Sequence, residues 1–102
     1  IIQQDGKCGP AKTGCNCEDG WIAYQNKGIT FIKKYEHFVD AEYPDNGCSV
    51  ECYTNEEMLE IETLSPMYQL AYGEEVKHTE VWTALRLSKE ILDEKDAELV
   101  FG

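Results

Sequence analysis

Two stretches in the second half of the chain alternate in character residue by residue. That period of two constrains the fold more than any other feature of the sequence. Side chains of a strand point to opposite faces in turn, so such alternation marks a half-covered β-strand and does not fit the 3.6-residue period of a helix. Over 58–64, Met58, Glu60, Glu62 and Leu64 share one face, with Leu59, Ile61 and Thr63 on the other. Over 76–87, His78, Glu80, Trp82, Ala84 and Arg86 share a face; Thr79, Val81, Thr83, Leu85 and Leu87 oppose them and read as core. Between the two, Ser65-Pro66 ends the first strand, because proline has no N–H for the ladder, and Tyr72-Gly73-Glu74-Glu75 turns the chain.

The same logic runs upstream. Residues 21–25 and 29–35 are aromatic and β-branched, and Asn26-Lys27-Gly28 between them offers a glycine for positive φ, so the pair is a hairpin. Tyr43-Pro44-Asp45-Asn46-Gly47 is a dense loop signal, and 48–54 follows it as a strand with Ser49, Glu51 and Tyr53 on one face. Residues 1–20 are irregular, with at most an edge strand over 12–17. Residues 88–102 are an acidic tail or a short helix started by Ser88, whose hydroxyl has N-cap chemistry. The expected fold is one mainly β domain over 1–102, an antiparallel sheet or sandwich of five or six strands with a short C-terminal helix. A chain of 102 residues is long enough for one modest core.

Charge excludes several functions. Nine Lys and Arg stand against 20 Asp and Glu, a net charge of -11, so neither a phosphate backbone nor an anionic membrane surface is an expected partner. No apolar run approaches the roughly 20 residues that span a bilayer. The opening Ile-Ile-Gln-Gln-Asp-Gly has neither the basic nor the apolar part of a secretory leader, which makes the cytoplasm the expected compartment. The five cysteines are an odd number, against a fully paired framework. Cys15-Asn-Cys17 and Cys48-x3-Cys52 are too unlike zinc knuckles to suggest a metal, and in a straight strand Cys48 and Cys52 lie about 13 Å apart. Reduced structural thiols, with no metal and no cofactor, are the expectation. A Cys–His nucleophile has no local motif to support it.

If the two polar faces coincide, Glu60, Glu62, His78, Glu80, Trp82 and Arg86 form one patch, with Glu51 a further ligand-binding candidate. Neighbouring carboxylates disfavour joint ionisation, which suits one of them to act as a base near neutral pH. The Trp82 ring offers a flat apolar surface to the C–H face of a sugar, and Arg86 can fix hydroxyls or a carboxylate. The competing reading is an ordinary solvated face with cross-strand Glu–Arg and Glu–His pairs.

Glu60-Ile61-Glu62-Thr63-Leu64-Ser65-Pro66, then Leu70, Gly73-Glu74 and His78-Thr79-Glu80-Val81-Trp82, resemble the C-terminal region of galactose-mutarotase-like proteins, in the branch related to aldose 1-epimerases. Gly20-Trp21-Ile22-Ala23-Tyr24, Phe31-Ile32-Lys33-Lys34-Tyr35, Tyr43-Pro44-Asp45 with Gly47, and Tyr53-Thr54 are similar to the same branch, so the resemblance spans 12–87. It implies a piece of a large β-sandwich that binds sugars on a concave sheet face. It implies Glu62, followed by Thr63, as the candidate base, with Glu60 as the alternative one alternation away and His78 as the remaining catalytic candidate. The family's Gln after Glu-Thr is Leu64 here, and neither His37 nor His78 stands in a family motif. By this resemblance the chain looks like the last third of such a sandwich. The expectation is therefore carbohydrate or small-ligand binding without a complete catalytic site. The alternatives are an interaction protein and an epimerase completed by oligomerisation. Uncovered strand edges point to a homodimer.

Overall fold

A computed structural model describes residues 1–87 and 89–101 of the chain. Its simplest element is the hairpin of β2 (Trp21–Asn26) and β3 (Ile29–Tyr35). Lys27 and Gly28 both take positive φ, 50° and 76°, so Asn26 pairs directly with Ile29 across a two-residue turn. Two consecutive left-handed residues match the right-handed twist of the flanking strands.

β6 (Glu80–Arg86) adds antiparallel to the other side of β3, giving the sheet order β2-β3-β6. A second antiparallel sheet has the order β1-β4-β5, built from β1 (Ala11–Cys15), β4 (Val50–Thr54) and β5 (Leu59–Thr63). The expected mainly β fold is therefore present as two three-stranded sheets. The segment α1 (Pro44–Gly47) is a turn in which Asp45 and Asn46 are left-handed, φ 53° and 64°. Asp, Asn and Gly are the residues that tolerate that conformation, which is why this sequence makes a loop. Helix α2 (Glu94–Phe101) closes the chain. Ser88, the expected N-cap, lies outside the described residues, but the helix begins only at Glu94, where Asp93 Oδ1 accepts from the Asp96 N–H at 2.9 Å. No helix among the described residues is long and apolar enough to cross a membrane.

Several boundaries differ from the sequence reading. The edge strand expected over 12–17 is Ala11–Cys15, paired to β4. Cys48 lies before β4, its N–H bonded to Pro44 O at 2.8 Å and its thiol donating to Asp45 O, so it does not share a strand face with the buried Cys52. The largest correction is the last strand. It begins at Glu80, because β3 ends at Tyr35 and Tyr35 is the partner of Glu80; residues 76–79 have no strand to pair with.

The sheets meet through polar contacts as much as apolar ones. Tyr35, buried at 8% exposure, donates its hydroxyl to Cys17 O at 2.7 Å and lies 2.9 Å from Ser49 Oγ. Ser49 is fully buried, and its Oγ accepts from the Cys17 N–H at 2.8 Å. With the tyrosine proton on Cys17 O, Ser49 donates to Tyr35, and every atom of this inter-sheet network has a partner. Val50 and Cys52 pack close by as the apolar part of the same layer.

Thr30 and Ile32 are buried on the opposite face of β3, the side over which the C-terminal segment lies. Gln25 Nε2 bonds Thr30 Oγ1 and Lys89 O, while Gln25 Oε1 accepts from the Ile91 N–H. Trp21 stacks at 4.8 Å on Phe101. This cover sits over β2 and stops short of β6. Val81 is consequently 60% exposed and Thr83 is exposed too, where the alternation had read them, with Thr79, as core.

Candidate functional site

β5 and β6 belong to different sheets, and this decides which polar residues meet. Glu62 is the cross-strand partner of Glu51, and Glu60 of Tyr53; Lys12 and Gly14 lie on the same face. This is the outer face of the β1-β4-β5 sheet. Thr63, on the opposite face of β5, is the residue that reaches β6, donating its hydroxyl to Glu80 Oε2. The expected single patch is therefore two sites: Glu51, Glu60 and Glu62 on one surface, His78, Glu80 and Trp82 on another. Arg86 shares the face of Glu80 and Trp82 but stands beyond Ala84, two same-face positions past Trp82.

On the outer surface, Glu51 is 4% exposed and ion-paired to Lys12 at 3.3 Å. A hydrogen bond shared with Asp45, then burial, pushes its carboxyl above the usual range despite Lys12. A carboxyl with a raised pKa does exist in this chain, but it is Glu51, closed in beneath the α1 turn. A Cβ on Gly14 would lie 2.8 Å from Cys48 Sγ and 3.0 Å from Glu51 Cγ, so only glycine leaves room for this arrangement.

The second surface is built around Trp82. Its ring is 64% exposed yet held on three sides. The indole N–H donates to Glu80 Oε1 at 3.0 Å, Phe31 meets the ring edge-on at 5.4 Å, and Lys33 Nζ lies 5.6 Å from the ring centroid. Glu80 is the anchor. Its carboxylate accepts from Thr63 and Trp82 and pairs with Lys33 at 3.6 Å. Partial burial alone would push the Glu80 carboxyl up; the bonds from Thr63 and Trp82 and the Lys33 charge outweigh it and hold it below the usual carboxylate range. Lys33 is fixed in turn by donating to Ile61 O at 2.9 Å.

His78 stands beside this group, its Nε2 2.8 Å from Thr63 Oγ1. The single hydroxyl proton of Thr63 goes to Glu80, so Thr63 accepts from His78, which fixes the imidazole with its proton on Nε2. The His78 ring is otherwise exposed. The result is a shelf: an aromatic face with a carboxylate at its rim and, next to the carboxylate, an imidazole.

Sequence alternation singled out His78, Glu80 and Trp82 but not their supports, Thr63, Lys33 and Phe31. Thr63 was readable only as an inward-facing residue of β5. What it faces depends on how one sheet lies on the other, which no local pattern encodes.

A separate cleft of about 730 Å³ opens between β2 and α2, lined by Asp19, Trp21, Lys34, Glu94, Glu98 and Phe101 among others. It contains none of the residues expected to act. Of the five cysteines only Cys52 is buried, Cys17 and Cys48 are half-buried, and Cys8 and Cys15 are exposed; burial, followed by the neighbouring Cys17 and Cys48, pushes the Cys15 thiol up, and burial does the same for Cys52. Among the described residues, no group of three or more His, Cys, Asp and Glu side chains is arranged to hold a metal ion. No family model matches the chain, and neither does any curated protein or solved structure.

Proposed function

We propose that this chain is a small β domain that binds a neutral carbohydrate, or a small ligand of similar shape, on the Trp82 shelf, and that it lacks a complete catalytic site. One observation carries the reading: a large aromatic ring is largely exposed and at the same time fixed in orientation by Glu80, Phe31 and Lys33. A ring already held in place loses little freedom when a ligand stacks on it. Glu80 and His78 supply polar groups at the shelf, where sugar hydroxyls need hydrogen-bond partners. The net charge of -11 disfavours acidic sugars, so simple aldoses should bind better than uronic acids.

The absence of catalysis rests on separation. Glu62, the base that the mutarotase resemblance implies, faces away from the shelf, while His78 lies on it. Kinship with the mutarotase-like proteins is part of the same proposal. So is a reducing compartment such as the cytoplasm, which suits five free thiols.

Saturation-transfer NMR against a panel of aldoses tests the reading. The expected result is transfer to sugar C–H protons that Trp82→Ala weakens by roughly tenfold in affinity, while Glu62→Gln changes nothing. A Trp82→Ala chain that binds as well as the wild type, or no transfer from any sugar, would refute it. Mutarotation of a fresh aldose faster than in buffer would show instead that a catalytic site exists.

A further inference from the structure

β6 is an edge strand, bonded to β3 on one side only. The direction of its free groups follows from one bond at the end of the ladder. The Leu87 N–H donates to Gly28 O, so Leu87, and with it Leu85, Thr83 and Val81, turn their backbone groups toward β3. Glu80, Trp82, Ala84 and Arg86 then point theirs outward. Among the described residues no other backbone group bonds to these four. The strand is apolar and exposed on both faces, Val81 on one and Trp82 on the other.

The other edges are guarded. β1 is short and holds Lys12 and Gly14, with Pro10 just before it. On the β2 side of the sheet the C-terminal segment lies over one face of the strand, bonded to the Gln25 side chain and stacked on Trp21. β5 gives its Ile61 carbonyl to Lys33. Charged side chains, above all lysine, proline and covering segments are devices by which proteins blunt strand edges; β6 has no lysine or proline, and its two charges, Glu80 and Arg86, stand only at its ends.

We propose that β6 pairs antiparallel with β6 of a second copy of this chain, in the register that sets Thr83 opposite its own counterpart. The sequence Glu80-Val81-Trp82-Thr83-Ala84-Leu85-Arg86 is complementary to itself about its centre. In this register Glu80 faces Arg86 of the other copy, Val81 faces Leu85, and Trp82 faces Ala84. Each copy thus receives two Glu–Arg pairs, and each bulky Trp82 meets a small alanine. The backbone directions agree with the same register. Trp82 with Ala84 and Glu80 with Arg86 become hydrogen-bonded pairs, and Val81 with Leu85 falls at a non-hydrogen-bonded position, where side chains approach most closely. A slip of two residues either way strands one end of the seven-residue strand and separates the charges. A slip of one turns outward groups against inward ones.

The two sheets then become one, in the order β2-β3-β6-β6-β3-β2, about a two-fold axis through the Thr83 pair. An isologous contact of this kind closes on itself and removes the exposed edge. It also sets the two Trp82 shelves on one face, about 7–8 Å apart on the diagonal. The pairing holds whether or not a sugar binds there.

Sedimentation equilibrium of the 102-residue chain from micromolar to millimolar concentration tests the proposal. A monomer–dimer equilibrium is expected. Ala84→Pro removes an outward N–H without touching the β3 ladder, a position where an edge strand accepts proline. Arg86→Glu sets like charges face to face. Each should weaken the dimer by about tenfold or more while the circular dichroism of the monomer stays unchanged. If Ala84→Pro unfolds the chain, Arg86→Glu decides. In a mixture of labelled and unlabelled chains, an isotope-filtered NOE between the Thr83 Hα protons of the two copies should report the register. A wild-type chain that stays monomeric at millimolar concentration would overturn the proposal, as would a dimer that Arg86→Glu leaves intact or a dimer without the Thr83 contact. A shelf that binds sugar on a strictly monomeric chain would sink the pairing alone and leave the binding reading standing.

Discussion

Tyr35→Phe isolates the polar seam between the two sheets. The substitution keeps the buried ring and deletes only the hydroxyl that donates to Cys17 O at 2.7 Å and contacts Ser49 at 2.9 Å. Cys17 O keeps a long contact to Ser49 Oγ at 3.4 Å, so part of the loss is recovered. Leaving a buried partner under-satisfied costs about 1–3 kcal/mol, and with that partial recovery a destabilisation of about 2 kcal/mol is expected near neutral pH. For a domain of this size that lowers the melting temperature by about 10 °C.

Alkaline pH adds a second signature. Burial, the largest influence, pushes the Tyr35 hydroxyl from 10.0 up to about 12. Below 10.0 the group is neutral in both states and its stabilisation is complete. Between 10.0 and about 12 the unfolded chain ionises first, so the unfolded state is favoured and stability falls with rising pH. A shift of that size corresponds to about 3 kcal/mol, on the scale of the advantage of the wild type over Tyr35→Phe. Urea unfolding of both proteins across this range is the assay. The two stabilities should differ near neutrality and converge near pH 12. A neutral-pH difference below about 0.5 kcal/mol, or a difference that persists at high pH, would refute the reasoning.

Other sites give independent expectations. Lys27 sits at positive φ where asparagine is favoured, so Lys27→Asn should stabilise the hairpin by up to about 1 kcal/mol, read as a raised urea midpoint with unchanged slope. A Cβ on Gly20, where φ is 76°, would lie 2.8 Å from the Tyr35 carbonyl oxygen. Gly20→Ala should therefore destabilise by about 2 kcal/mol or more, measured by thermal unfolding. Glu80 contributes stability above its ordinary pKa of 4.5, and that contribution is lost as the pH falls through its lower folded value. Glu80→Gln should lower the stability measured at neutral pH and flatten its fall on acidification, in urea titrations at several pH values. Glu51 has the opposite sign, because its raised carboxyl favours the neutral form. Glu51→Gln should be tolerated at neutral pH better than Glu80→Gln, by the same measurement.

Much of the fold was legible from local chemistry. Asn26-Lys27-Gly28 announced the β2-β3 hairpin, Tyr43-Pro44-Asp45-Asn46-Gly47 a loop, and the alternation over 58–64 the faces of β5. These signals depend on backbone preference and on a period of two, which neighbouring residues alone determine. What failed depended on partners distant in sequence. The 76–87 stretch alternates throughout, but a strand forms only where β3 is long enough to pair with it, hence the start at Glu80. Val81 and Thr83 look like core in an alternating pattern, yet an edge position and a C-terminal cover displaced toward β2 leave them exposed. Glu62 and Glu80 form one patch only if the two polar faces coincide, which the alternation within either strand does not encode. With the strands in different sheets, Thr63 takes the place of Glu62 beside Glu80.

The most direct test of the account is a two-dimensional amide NMR titration of the chain with simple aldoses. Sugar binding on the Trp82 shelf should give shift changes confined to Thr63, His78, Glu80, the Trp82 indole and Lys33, with Glu51, Glu60 and Glu62 unmoved. Changes centred on Glu60 and Glu62, or a well-dispersed spectrum that no sugar perturbs, would contradict it.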